Sequence, residues 1–222
     1  APHRGIIVAG LLLTTVIYYP TFSFPLTAKD DYRGINIAHY GTDAHFYLVR
    51  AKEALEGHTL GNPFLREGKD GQDAFFMYNE RLLLAPWRLL GLAGAVDVVT
   101  IYHWYNYIGV FVLLVLIYWF VRQLSGNSWL SVAAALFVVG GYSIVYNKTL
   151  FYTDFNIYGR AMFPYVSSVA FFTYLNLLLK SLRSTRTIYT ILAGVAFGAL
   201  FYVYFFAWSF ALAFTAILLM IY

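Results

Sequence analysis

Thirty-six consecutive residues, Thr187 to Tyr222, carry no charged side chain. As one α-helix this run would be ~54 Å long at 1.5 Å per residue, against a bilayer hydrocarbon core of ~30 Å. It is too long for one straight crossing and too apolar for water. The run therefore predicts a tight hairpin of two spans, turning near Tyr204 to Ser209, where aromatic side chains concentrate. The rest of the chain agrees in character, with 60 % apolar, 20 % aromatic and only 12 % charged residues, against ~25 % charged in soluble domains.

Four further apolar runs precede the hairpin. Gly5 to Tyr19 continues weakly to Leu26, and no small-x-small cleavage pattern follows it, so it reads as an uncleaved span. Ile101 to Leu124 carries Arg122 near its end, Trp129 to Tyr146 follows, and Ala161 to Leu179 is closed by Lys180, Arg183 and Arg186. The expected fold is an all-α membrane protein, a polytopic helical bundle of about six spans at 5–26, 101–124, 129–146, 161–179, 187–204 and 208–222. The chain opens Ala1-Pro2 and stops inside an apolar run, and 1–222 is expected to be the N-terminal part of a longer transmembrane domain. Cysteine is absent, which removes disulfides and thiolate metal sites. A net charge of +4 gives no case for nucleic acid as a partner; the lipid bilayer is the expected one.

Charge distribution predicts the orientation. All eleven acidic residues lie between Asp30 and Asp97, except Asp154. The segments at the other membrane face carry Arg4, Arg122, Lys180, Arg183 and Arg186 and no acid. By the positive-inside rule the N-terminus is cytoplasmic, and the segments 27–100 and 147–160 lie outside. The expected location is a plasma (inner) or endoplasmic reticulum membrane, with the functional side outer or lumenal.

The first outer loop, 27–100, is too long to be structureless. Ala44, Tyr47, Leu48, Ala51, Ala54 and Leu55 follow helical spacing, with His45, Lys52, Glu53 and Glu56 on the other face. Thr42 or Asp43 can cap this helix of about 43–57, and Gly57 can end it. A second helix, about 73–90, is rich in Leu but carries Glu80, Arg81 and Arg88, too charged and too short to span, and is expected to lie flat on the interface.

Chemistry-bearing signals are few. No P-loop, GxGxxG, HExxH or paired-His spacing is present, and the five His residues are scattered. Two acids stand out. Asp43 opens the amphipathic outer helix, where it serves as an N-cap, as a functional carboxylate, or as both. Asp154 sits in a short connection between two spans with Lys148 and Arg160 nearby, so it is either half of an interfacial ion pair with Arg160 or the lining of a polar cavity. Asn147-Lys148-Thr149 also fits the N-glycosylation pattern.

The segment Asp43-Ala-His-Phe-Tyr47-Leu-Val-Arg50-Ala51 resembles the first-outer-loop motif of oligosaccharyltransferase catalytic subunits. Asp154-Phe-Asn156 resembles their second motif, an Asp-x-Asp or Asp-x-Glu between spans three and four. Gly159-Arg160-x-x-x-Pro164 and the aromatic stretch Phe201 to Trp208 are similar to many polytopic glycosyltransferases of the GT-C superfamily. The resemblance implies an enzyme that moves a sugar from a polyprenyl-phosphate-linked donor to an acceptor glycan, lipid or protein on the outer face. It implies Asp43 as general base with Asp154 as its catalytic partner. Arg160 and Lys148 would neutralise the lipid phosphate, with His45, Tyr47 and Arg50 as further substrate contacts. A divalent cation (Mg or Mn) would sit on Asp43, Asp154 and Asn156, although Asn156 stands where those families carry a second acid, and hard cations prefer carboxylate oxygens.

Two rival readings fit the same residues. A transporter or lipid flippase would explain many spans and intramembrane charge, and helices broken at Gly109 or Gly140-Gly141 would favour it. A non-catalytic scaffold of the same fold would keep the topology without the chemistry.

Overall fold

The computed structural model describes residues 2–33, 42–59, 67–72, 78–145, 158 and 164–221. Among these residues the chain is helical, with eight α-helices. They are α1 (Pro2–Ala28), α2 (Thr42–Glu56), α3 (Asn79–Leu89), α4 (Val98–Ser125), α5 (Ser128–Val145), α6 (Tyr165–Arg183), α7 (Thr187–Leu200) and α8 (Phe205–Ile221). A 3-10 turn, Lys29–Asp31, follows α1.

Helix α4 is the axis of the bundle, packing against α1, α5 and α6. Its ends are set by local chemistry. The Asp97 carboxylate accepts from the backbone N–H groups of Val99 (2.9 Å) and Thr100 (3.4 Å), which satisfies two orphan donors. That cap starts α4 at Val98, three residues ahead of the apolar run that marked it in the sequence. At the other end Gly126 takes a left-handed conformation (φ +69°), which glycine adopts without Cβ strain, and its N–H bonds the Arg122 carbonyl. Between the ends Val110, Leu113, Leu114, Ile117 and Tyr118 are fully buried against α1, α5 and α6.

Helix α1 runs through Pro20 and Pro25 to Ala28. Membrane helices tolerate such prolines because neighbouring groups re-satisfy the freed backbone. The Ser23 and Thr27 hydroxyls fold back onto carbonyls of the preceding turn. The last two helices form the expected hairpin, but the turn falls at Phe201 to Tyr204, ahead of the expected position. Bonds from Phe201, Tyr202 and Val203 N–H to carbonyls three residues back tighten the end of α7. The aromatics beyond it enter the first turn of α8, and the rings of Phe201 and Trp208 stack at 4.9 Å to close the hairpin.

Among the described residues, three helices are long and apolar enough to cross a membrane: the one spanning His3–Asp31, then Val98–Ser125 and Tyr165–Arg183. The remaining bundle helices are apolar but shorter. Large apolar side chains cover the outward faces, among them Ile7, Val8, Leu12, Ile108, Ile191, Val195, Phe210 and Leu219. Exposed apolar side chains on this scale favour a non-aqueous neighbour, and together with the three long apolar helices they point to a helical membrane protein.

The two ends of the bundle differ. At one end lie His3 and Arg4 of α1, Arg122 of α4, and Lys180 and Arg183 of α6. Contacts tie these helix ends together: His3 stacks on Trp119, and the Arg183 guanidinium donates to the Gln123 carbonyl. At the other end α2 and α3 sit over the start of α4.

Toward the basic end, polar side chains cross-link α4 and α6. Asn176 Nδ2 donates to the carbonyls of Leu116 (3.0 Å) and Phe172 (2.8 Å), and Gln123 Nε2 donates to Asn176 Oδ1 (2.6 Å). Close packing reinforces the link. A Cβ on Gly109 would collide with the ring of Tyr165, itself buried. Helix α4 continues unbroken through Gly109, and α5 through Gly140 and Gly141.

Gly109→Ala is expected to lower the thermal unfolding midpoint in detergent. Alanine is the better helix former by ~1 kcal/mol, but the trapped Tyr165 ring cannot yield, and overpacking costs about 1–3 kcal/mol. Gly194→Ala on α7 meets nothing within 4 Å and is expected to leave the midpoint unchanged or raise it. Equal behaviour of the two variants would remove the Gly109–Tyr165 contact as the reason for glycine there.

Candidate functional site

The segment between α1 and α4 builds a cap on one end of the bundle. Helix α2 buries Leu48, Ala51, Ala54 and Leu55, the stripe its spacing defines. These side chains rest on Leu84 of α3, on Val98, Val99, Ile101 and Tyr102 of α4, and on Val203 in the α7–α8 turn. The Tyr78 N–H donates to the Tyr202 carbonyl at 2.9 Å, tying the entry to α3 to that same turn. The apolar face of α2 is therefore covered by protein. Helix α3 buries Leu84 but leaves Leu82 and Leu89 exposed, together with Leu90 just beyond it.

Helix α2 ends at Gly57, whose φ of +104° permits the chain reversal. The Gly57 and His58 N–H groups return to carbonyls of Glu53 and Ala54, which closes the last turn.

A buried polar cluster lies under the cap. Arg50 Nε donates to Glu80 Oε1 at 2.7 Å, and both side chains are 0 % exposed. The guanidinium carbon sits 5.5 Å from the centre of the Phe46 ring. Tyr102 of α4 lies within electrostatic reach of Glu80, Arg50, Tyr105 and Tyr165. The hydroxyls of Tyr102 and Tyr165 are buried without a hydrogen-bond partner among the described residues. Tyr105 donates to the Leu83 carbonyl (2.8 Å) and accepts from Trp87 Nε1 (2.9 Å). The cluster thus joins α2, α3, α4 and α6.

A second group gathers at the C-terminal end of α2. Lys69 Nζ lies 3.0 Å from Glu53 Oε1, His58 Nδ1 lies 3.1 Å from Asp70 Oδ1, and His58 Nε2 lies 3.9 Å from Glu53 Oε2. Thr59 donates to the Gly71 carbonyl at 3.0 Å, so the stretch 67–72 is laced to the helix end. Glu53, Glu56 and His58 have ligand atoms within 4.8 Å of one another and form the one group able to hold a metal among the described residues. A cation there would first have to displace the Lys69 ammonium. Glu53, which helical spacing places on the polar outer face, is in fact 4 % exposed, because the 67–72 stretch folds over it.

The side chains singled out in the sequence are distributed as follows. Arg50, expected to meet substrate, points inward and is held by Glu80. Tyr47 is partly buried against the cap core, and His45 is exposed on the first turns of α2. Asp43 is the second residue of α2, though its side chain lies outside the described residues, as do Lys148, Asp154, Asn156 and Arg160 entirely.

Tyr158, four positions after Asp154 in the sequence, accepts at its carbonyl from the Tyr18 hydroxyl at 2.6 Å, which sets Tyr158 itself against α1. Burial pushes the Tyr158 hydroxyl above its ordinary pKa, and a hydrogen bond with Ser168 acts the other way. Sequence reasoning missed Glu80. The signal available was its position one residue into a Leu-rich helix, facing inward with Leu84, four residues on.

Comparison of the chain with protein-family models, curated proteins and solved structures finds no match.

Breaking a buried ion pair strands a charge and costs about 3–5 kcal/mol, whereas replacing both partners with apolar side chains is close to neutral. Arg50→Ala and Glu80→Leu are each expected to lower the unfolding midpoint strongly, and Arg50→Met combined with Glu80→Leu to recover most of the loss. Single variants indistinguishable from the parent protein would show that the pair does not hold the cap.

Proposed function

We propose that this chain is part of a GT-C-type membrane glycosyltransferase, which moves a sugar from a polyprenyl-phosphate-linked donor to an acceptor on the outer or lumenal side. About six spans with a cytoplasmic N-terminus complete the topology. The observation that carries the reading is the cap. Helix α2, which bears Asp43 in its first turn, is packed onto the bundle end and fixed there by the Arg50–Glu80 pair. An enzyme whose donor already resides in the lipid needs a fixed carboxylate at the membrane surface and no nucleotide site. A rigid element places such a group better than a loop does.

In this reading Asp43 accepts the proton of the acceptor hydroxyl or amide as that group attacks the anomeric carbon and the polyprenyl phosphate departs. Asp154 orients the acceptor or, with Asp43 and Asn156, holds a divalent cation. Lys148 and Arg160 offset the charge on the leaving phosphate. Arg50 acts as a positioning residue through α2. The exposed His45 and the half-buried Tyr47 on the same helix are candidate acceptor contacts. Helices unbroken at Gly109 and Gly140-Gly141 weigh against the transporter or flippase, which would use broken spans there.

Asp43→Asn is expected to reduce sugar transfer from a radiolabelled polyprenyl-phosphate donor by at least about a hundredfold, the usual contribution of a general base. Asp70→Asn, at the exposed loop, is expected to retain activity. Full activity of a folded Asp43→Asn protein would leave the scaffold reading in its place.

A further inference from the structure

A cavity of about 340 Å³ opens between α4 and α6 near the basic end of the bundle, far from the cap. Leu116, Trp119, Gln123, Asn176, Leu177 and Lys180 line it. Its wall is divided by chemistry. Leu116 and Leu177 are apolar, Gln123 and Asn176 form the hydrogen-bonded polar floor, and the exposed Lys180 stands at the rim. Trp119 is 46 % exposed and is held by His3, which stacks at 5.3 Å and bonds the Tyr118 hydroxyl at 2.9 Å. A tryptophan with one apolar and one wet edge is the side chain bilayer interfaces favour.

The charge here is unbalanced. Arg4, Arg122, Arg183 and Arg186 flank Lys180 in the sequence segments of this end, and none of the eleven acids falls in those segments. Basic residues in a last helical turn also serve the helix dipole, and Arg183 does so by donating to the Gln123 carbonyl. Lys180 does something else. Its Nζ sits 5.0 Å from the centre of the Tyr189 ring and makes no ion pair among the described residues.

We infer that this cavity binds an anionic phospholipid, its phosphate against Lys180 and Gln123 and the upper part of an acyl chain along Leu116, Leu177 and Trp119. A free phosphate would answer the charge but leave the apolar wall wet, whereas a phospholipid covers both. Basic pockets between membrane helices bind acidic headgroups by this combination. The inference needs only that α4 and α6 cross a bilayer, and it stands apart from the sugar-transfer reading.

Native mass spectrometry of the intact protein, released from micelles containing phosphatidylglycerol or phosphatidylcholine, tests it. Phosphatidylglycerol is expected to be retained in preference. Lys180→Gln is expected to weaken its retention about fivefold, the worth of one surface lysine toward an acidic lipid. Arg186→Gln, outside the cavity, is expected to change it little. Equal retention of the two lipids would overturn the site. So would equal loss in both variants, which marks a diffuse field, or displacement of the lipid by millimolar inorganic phosphate, which marks a free-ion site.

Discussion

The ion pair between Arg50 and Glu80 is the contact on which the non-spanning part of this protein depends. Two charges 2.7 Å apart with no solvent exposure lose their hydration on folding, and their mutual attraction returns that cost only when the geometry is right. Such a pair adds little net stability over a well-packed apolar pair. Its physical effect is selectivity: an α2 rotated or shifted by one turn would leave both charges buried and unpaired. The apolar stripe of α2 would tolerate several registers on the bundle, and the ion pair tolerates one. The position of Asp43 at the start of α2 follows from that register.

Apolar surface and charge divide the labour elsewhere. Outward faces of α1, α4, α7 and α8 carry exposed Leu, Ile, Val and Phe, a surface suited to lipid. Within the bundle, packing alone cannot drive helices together in lipid, so close approach and polar glue do so. Gly109 admits the Tyr165 ring, and Asn176 bridges α4 and α6 through the Leu116 carbonyl and Gln123. Bases at one end and the cap at the other give the molecule two chemically distinct poles, one suited to acidic headgroups and one built to hold polar side chains.

Much of this was legible in the residues. The uncharged stretch from Thr187 onward required a hairpin, and the Leu48–Leu55 spacing marked the buried face of α2. Element ends were less legible, because they rest on single groups. The Asp97 carboxylate moves the start of α4 back to Val98, and bonds from the Phe201, Tyr202 and Val203 N–H groups to carbonyls three residues back place the hairpin turn at Phe201 to Tyr204, earlier in the chain than the aromatic stretch alone indicates. The inward orientation of Arg50, Glu53 and Glu80 was not legible. Charged residues in a half-apolar helix read as a solvated face, and only a partner distant in sequence, such as Glu80 for Arg50 or Lys69 for Glu53, makes their burial tolerable. The acids Asp43 and Asp154 were visible as types and positions, but their mutual geometry is a tertiary fact that spacing does not encode.

Hydrogen exchange of the protein in nanodiscs tests the fixed cap most directly. If the Arg50–Glu80 pair and the buried stripe hold α2 to the bundle, its amides from Leu48 to Leu55 exchange on the slow timescale of the outer turns of α4, and Glu80→Leu releases them while leaving α4 protected. Rapid exchange of α2 in the parent protein, at the rate of a helix merely resting on the lipid surface, would contradict it.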